Sequence, residues 1–216
     1  MKKIRVLVAC EESQAVTKAF RAQGAEAFSC DLQECSGGHP EWHIRDNALD
    51  AIESEEWGLI IAHPPCTYLT AAGNRWMLPE YAERYPNRLR QRAEAAEFFM
   101  RFANCNCKRF AIENPVGVMS SLWRKPDQYI QPFEHGHPWT KKTGLWLKGL
   151  PKLAPTNMVK PVWVVYAGKK YAPEHLFLGM PRKDRQKARS KTPEGVAKAM
   201  AEQWMAYILK ETNGTD

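Results

Sequence analysis

"WGLIIAHPPCT", residues 57–67, runs four apolar residues, Leu59 to Ala62, into a histidine, two prolines and a cysteine. An unbroken apolar run of this length, bounded by Gly58 and Pro64, reads as a strand buried on both faces, as in a parallel sheet. The two prolines stiffen the exit. In an open α/β sheet, the chain leaving the carboxyl end of a strand enters the ligand-binding edge. The fold therefore turns on whether the flanking segments alternate between strand and helix.

They do alternate. "IRVLVAC" (4–10) is β-like. "SQAVTKAFRAQG" (13–24) puts Ala15, Val16, Ala19 and Phe20 on one helical face, with Ser13 placed to cap its start and Gly24 just past its end. "AEAFSCD" (25–31) is a second strand ending in an acid, and "HIRDNALDAIES" is ambiguous. "NRLRQRAEAAEFFMRFANC" (87–105) is a long helix pattern with Ala93, Ala96, Phe99 and Met100 at core spacing, followed by the strand "KRFAIENP" (108–115). "TGLWLKGL" and "PVWVVYAG" read as strands, and "TPEGVAKAMAEQWMAYILK" (192–210) as a closing helix. The pattern predicts one α/β domain over 1–210, a Rossmann-like, mostly parallel sheet with helices on both faces, and a disordered tail, 211–216. No repeat or linker divides it.

Composition narrows the class. The 216 residues suffice for one sizeable domain. No apolar stretch approaches the ~20 residues of a membrane span, and "MKKIRVLVAC" reads as a first strand, not a signal peptide. Six cysteines in a chain of this size do not make a disulfide framework, so a reduced, cytoplasmic setting is expected. A net charge of +7 leans towards a polyanionic partner.

If the sheet forms, the residues just past each strand converge on one edge: Cys10-Glu11-Glu12, Asp31, Pro64-Pro65-Cys66 and Glu113-Asn114-Pro115. That edge holds a thiol, a nearby carboxylate, and an acid placed as a ribose ligand. "PPCT" (64–67), "IENPVG" (112–117), "GHPWTKKT" (136–143) and "SKTPEGVAKAMAEQWMAYI" (190–208) together resemble, in order, four motifs of the DNA cytosine-5 methyltransferases, most of all their short phage-type relatives. The second motif departs only in Pro115 replacing valine; the third has Lys141 and Thr143 where the family has arginines.

The resemblance implies a class I methyltransferase fold, S-adenosyl-L-methionine as cofactor and DNA as partner. It implies a thiol nucleophile at Cys66, a carboxylic acid at Glu113 and an orienting cation at Lys141. The cofactor would meet Cys10, Glu11, Asp31, Asp46, Pro64 and Pro65. DNA would meet Thr67, Asn74, Arg75, Lys142, Arg182, Lys183 and Arg185. The chemistry explains the residue types: a thiolate adding to carbon 6 of cytosine makes carbon 5 nucleophilic, and an acid at N3 relieves the charge that builds on the ring. The rigid Pro-Pro step fixes the thiol beside a base flipped from its stack.

Two departures stand out. The family's first loop reads Phe-x-Gly-x-Gly, whereas "CEESQAVTKAF" has no glycine between Cys10 and Phe20. Only residues 144–191 separate Thr143 from Thr192, too few for a large recognition module, so a homodimer or partner protein is expected to help recognition. The alternative function is an inactive or cofactor-altered nucleic-acid-binding relative. "CDLQECSGGHPEWH" brings Cys30, Cys35, His39 and His43 together; the choices are a zinc site of non-standard spacing or a loop bordering the pocket. "RKDRQKARSK" (182–191) is a solvated face or a phosphate contact. The arginines and aromatics of 75–92 form a stacking loop or a plain crossover.

Overall fold

The computed structural model describes residues 3–171 and 181–213. Strands β1 (Arg5–Ala9), β2 (Glu26–Cys30), β3 (His43–Ile44), β4 (Leu59–Ala62) and β5 (Phe110–Pro115) run parallel. β7 (Thr143–Lys148) pairs antiparallel with β5, and β6 (Gln128–Ile130) antiparallel with β7. The seven strands lie in the order β3-β2-β1-β4-β5-β7-β6. This is the Rossmann-like, mostly parallel α/β arrangement expected from the sequence. Helices α1 (Ala15–Ala22), α2 (Ala48–Glu53), α3 (Arg88–Ala103), α4 (Met119–Leu122), α5 (Arg182–Ser190) and α6 (Glu194–Asn213) connect or follow the strands.

Period-two alternation sorts the strand residues into two cores. Val6, Val8, Leu59 and Ile61 face α1 and α6, where Phe20, Met200 and Trp204 are fully buried. Leu7, Ala9, Ile60 and Ile112 face the other way, against α2 and α3, with Phe99, Phe102 and Trp146. β4, buried on both faces, is therefore apolar throughout, which is why 59–62 reads as an unbroken run. α1 and α6, from opposite ends of the chain, pack together on one face.

Several elements differ from the sequence reading. The ambiguous "HIRDNALDAIES" divides into β3 and α2, with Asn47 capping α2 by accepting the Leu49 N–H at 3.0 Å. α3 buries Phe99 and Phe102 with Ala96 and Met100 packed against the same core, while Ala93, expected on that face, is exposed. "PVWVVYAG" contributes β8 (Val164–Tyr166), which pairs only with β9 (Lys169–Tyr171) in a separate hairpin. α6 continues three residues beyond 210, so 211–213 are helical, and 214–216 lie outside the described residues. Among the described residues no helix is long and apolar enough to cross a membrane.

Trp204 is fully buried and donates its indole N–H to the Pro151 carbonyl at 3.0 Å. Trp204→Ala opens a cavity under the sheet, and urea denaturation is expected to show a loss of about 3–5 kcal/mol.

Candidate active site

Ala62 pairs with Ile112, so the residues that follow β4 meet the end of β5 directly. His63 keeps the chain in the sheet for one more step, its N–H donating to the Ala9 carbonyl at 2.9 Å. The proline pair then turns it out. Two side chains of β5 hold this turn. Asn114 Nδ2 donates to the buried Pro64 carbonyl at 2.7 Å, and Glu113 Oε2 lies 2.8 Å from His63 Nδ1. Thr192, just before α6, brings its hydroxyl within 3.5 Å of the same carboxylate oxygen.

Cys66 opens a tight turn, its carbonyl accepting the N–H groups of Leu69 and Thr70 at 3.0 and 3.1 Å. The turn is bonded to the exit of β5: Ala71 N–H to Val116, and Val118 N–H to Leu69. Gly117 passes so close to the Leu69 carbonyl that a Cβ would overlap it. Lys141 lines a cleft with Glu113, Thr143 and Thr192, and its ammonium donates to the Arg189 carbonyl at 2.9 Å. That bond and the 3.3 Å ion pair Lys187–Glu12 hold α5 over the edge.

The charges settle as an ion pair. Burial works against the imidazolium of His63, but the hydrogen bond and charge of Glu113 outweigh it and hold His63 above its ordinary 6.5. Burial likewise works against the Glu113 carboxylate, yet the His63 hydrogen bond and charge, with Lys141, hold it below its ordinary 4.5. The two side chains are only 14% and 13% exposed. Burial pushes the Cys66 thiol up; Lys141 and Arg189 pull it down, and Glu113 adds to the rise. The three residues expected to carry chemistry, Cys66, Glu113 and Lys141, thus share one electrostatic neighbourhood. His63 was not among them. Its signal is positional: it stands one residue beyond β4, where parallel register sets it beside Glu113.

On the β1–β2 side, Cys10 and Gln14 adopt left-handed backbone, φ 59° and 56°, so the turn keeps a glycine-like shape on non-glycine residues. The Glu11 carboxylate is buried and accepts the Val16 N–H at 2.7 Å, the Thr17 N–H at 3.2 Å and the Thr17 hydroxyl at 2.7 Å. It caps α1 where Ser13 was expected to; the Ser13 hydroxyl is only 3.4 Å from the Ala15 N–H. The Glu11 carboxylate, expected at the cofactor, is engaged by the N-terminus of α1. The Gln14 amide fills the turn, bonding both main-chain groups of His39. Asp31 accepts the Gln33 N–H at 2.9 Å and Asp46 the Asn47 N–H at 2.7 Å. After burial, the Asp31 charge is the next cause raising the Cys10 thiol. An acid at the end of β2 is the residue type that can bind a ribose diol, while Glu11 already takes the helix N-terminus.

The remaining expectations fall as follows. His43 has both ring nitrogens engaged, by Ser29 Oγ and the Gln33 carbonyl at 2.8 Å each, and His39 stacks on Trp42 with centroids 3.7 Å apart. The Cys30 thiol is buried and faces the Asp46 carbonyl. Among the described residues, no three His, Cys, Asp or Glu side chains are placed to hold a metal. Thr67, Asn74 and Arg75 are exposed near Cys66; Asn74 accepts from Arg92 at 2.8 Å, and Arg75 lies 4.0 Å over Trp76. Trp76 packs edge-on against Tyr81 and Tyr85. Lys142 sits 4.3 Å over Tyr129. Arg182, Lys183 and Arg185 belong to α5, but their side chains lie outside the described ones.

No protein-family model and no curated protein matches the chain. Among solved structures it aligns with the Entamoeba histolytica methyltransferase EhMeth, at 14% identity and TM-score 0.48, over 76% of this chain and 59% of that one. It also aligns with a DNA modification methyltransferase encoded within an Escherichia coli prophage (12%, TM-score 0.46, 83% and 56%) and with the S. pombe Dnmt2 methyltransferase (13%, 0.44, 70% and 51%). The chain spans less than three fifths of the length of each.

The ion pair makes stability depend on pH. The His63 share is present below 6.5 and lost as pH rises through the raised value; the Glu113 share is present above 4.5 and lost as pH falls through the lowered one. Glu113→Gln is therefore expected to cost most between these limits, on the order of 3 kcal/mol. The deficit should shrink as His63 deprotonates, as urea titrations on either side of that step would show.

Proposed function

We propose that the protein transfers a methyl group from S-adenosyl-L-methionine to carbon 5 of cytosine in DNA, through a covalent adduct on Cys66. What supports this reading is that Glu113 and Lys141 line one cleft and act electrostatically on the Cys66 thiol beyond β4, in a chain whose motifs resemble, in order, those of the cytosine-5 methyltransferases.

The chain's own residues divide the work. The Cys66 S–H bond breaks, sulfur bonds to carbon 6 of the ring, and the electron pair of the 5,6 double bond moves into the ring. Glu113 rests ionised, so it can accept the thiol proton and pass it to N3. Lys141 offsets the negative charge on sulfur and carboxylate. The cofactor supplies an electrophilic methyl group. Carbon 5 then loses its proton to solvent as the thiolate departs, and N3 returns its proton to Glu113, which restores the ring. Cys10, Asp31, Asp46, Pro64 and Pro65 border the cofactor, Asp31 on the ribose hydroxyls, and Glu11 contributes only the capped helix. Thr67, Asn74, Arg75, Lys142 and the basic helix α5 face the phosphates and the flipped base. A second copy or a partner protein supplies part of the recognition.

A second reading, a nucleic-acid-binding relative with altered or no catalysis, draws on the first loop, where Glu11 and Gln14 fill a turn that glycines usually leave open. Calorimetry separates the two: weak heat with S-adenosylmethionine is expected, and none at millimolar cofactor with duplex DNA present favours the second reading.

DNA carrying 5-fluorocytosine should trap a denaturation-resistant complex, because fluorine cannot leave as a proton does. Cys66→Ser should abolish trapping and Glu113→Gln slow it ~100-fold. Cys10→Ser and Cys35→Ser should leave it unchanged. Trapping that persists in Cys66→Ser overturns the adduct.

A further inference from the structure

His63 is built into the site, yet the chemistry above gives it no step. It stands three residues before Cys66 on the same rigid segment, 2.8 Å from Glu113, and both side chains are almost fully enclosed. Its second ring nitrogen, Nε2, is buried with no hydrogen-bond partner among the described residues. An imidazole needed only as a strut for Glu113 would serve with one nitrogen. What distinguishes histidine from asparagine here is that it can carry a charge.

The charged groups around it are few. Glu113 on β5 and Glu11 after β1 act on His63 with negative charge, and Lys141 before β7 with positive charge. The Cys66 thiol feels Lys141, Glu113 and Arg189. With His63 as imidazolium, the pair His63–Glu113 is neutral overall, and Lys141 leaves an excess positive charge beside the thiol. With His63 neutral, the Glu113 carboxylate stands uncompensated and cancels Lys141. A thiolate forms more readily in the first state than in the second.

We infer that His63 is a positioning residue that, acting through Glu113, couples its own protonation to the ionisation of the Cys66 thiol, so that the nucleophile is armed while His63 is charged and restrained once it is not. The coupling concerns the thiol of the proposed reaction but needs neither DNA nor cofactor. Only one proton is exchanged in it: it leaves His63 for solvent, and the one on Cys66 is then held more tightly.

The wild-type protein tests this without any substitution. Site-resolved alkylation of Cys66 by iodoacetamide, followed by mass spectrometry across pH, is run beside an NMR titration of the His63 ring. A simple thiol gains tenfold in rate per pH unit below its own titration. Here the gain is expected to flatten over the range in which the His63 signal moves, then resume. His63→Asn should remove the bend, slow alkylation about tenfold below it, and match the wild type above it. In a Glu113→Gln background, His63→Asn should change the rate little. A purely structural role would shift the rate equally at every pH. An unbroken slope through the His63 titration, or a pH-independent effect of His63→Asn, overturns the coupling. The bend persisting in a protein that never traps on fluorocytosine would remove the methyl-transfer reading and uphold the coupling.

Discussion

The parallel pairing of β4 with β5 is the constraint on which the site depends. It sets Ala62 opposite Ile112. Everything after that follows from where two side chains can reach. Asn114 takes up the Pro64 carbonyl, which would otherwise be buried without a donor, and Glu113 meets His63. A slip of the register by one residue would send Glu113 to the opposite face of the sheet and leave the proline turn unsupported. The thiol is thus placed by strand pairing, and the loop that carries it is only the last link.

The same pairing explains how much was legible beforehand. Buried parallel strands announce themselves as apolar runs, so β1, β4 and the first half of β5 were readable, and with them the sheet edge near which Cys66 and Glu113 lie. β3 has only two residues and β6 three, too few to show a period. On α3, Ala96, Phe99 and Met100 lie against the core as their spacing indicates, and only Ala93 departs, because an alanine near a helix start fits a core face or a small-residue surface equally well. His63 was passed over because local sequence holds no trace of its partner, fifty residues away. The bonds of Glu11 were hidden for a related reason: an acid after β1 looks like a ligand-binding group, and only three-dimensional structure shows its carboxylate turned back onto α1.

The first loop shows how a left-handed turn can be held without glycine. Cys10 and Gln14 hold left-handed conformations that glycine would hold without steric strain. Gln14 offsets that strain with hydrogen bonds to His39, and Glu11 with its cap on α1. The loop has exchanged openness for internal bonding, and the chemistry of the site must be reached past side chains instead of bare main chain.

The packing of α1 against α6 has a consequence for biosynthesis. α1 emerges from the ribosome early, with Val16 and Phe20 and the β1 residues beneath them, whereas Trp204 and its neighbours on α6 follow some 180 residues later. At a translation rate of about 5–20 residues per second, that apolar face waits on the order of ten seconds or more for its cover. During that interval the nascent chain presents a sticky surface, the kind that holdase chaperones shield, and the opposite face, closed by α2 and α3, is free to settle first.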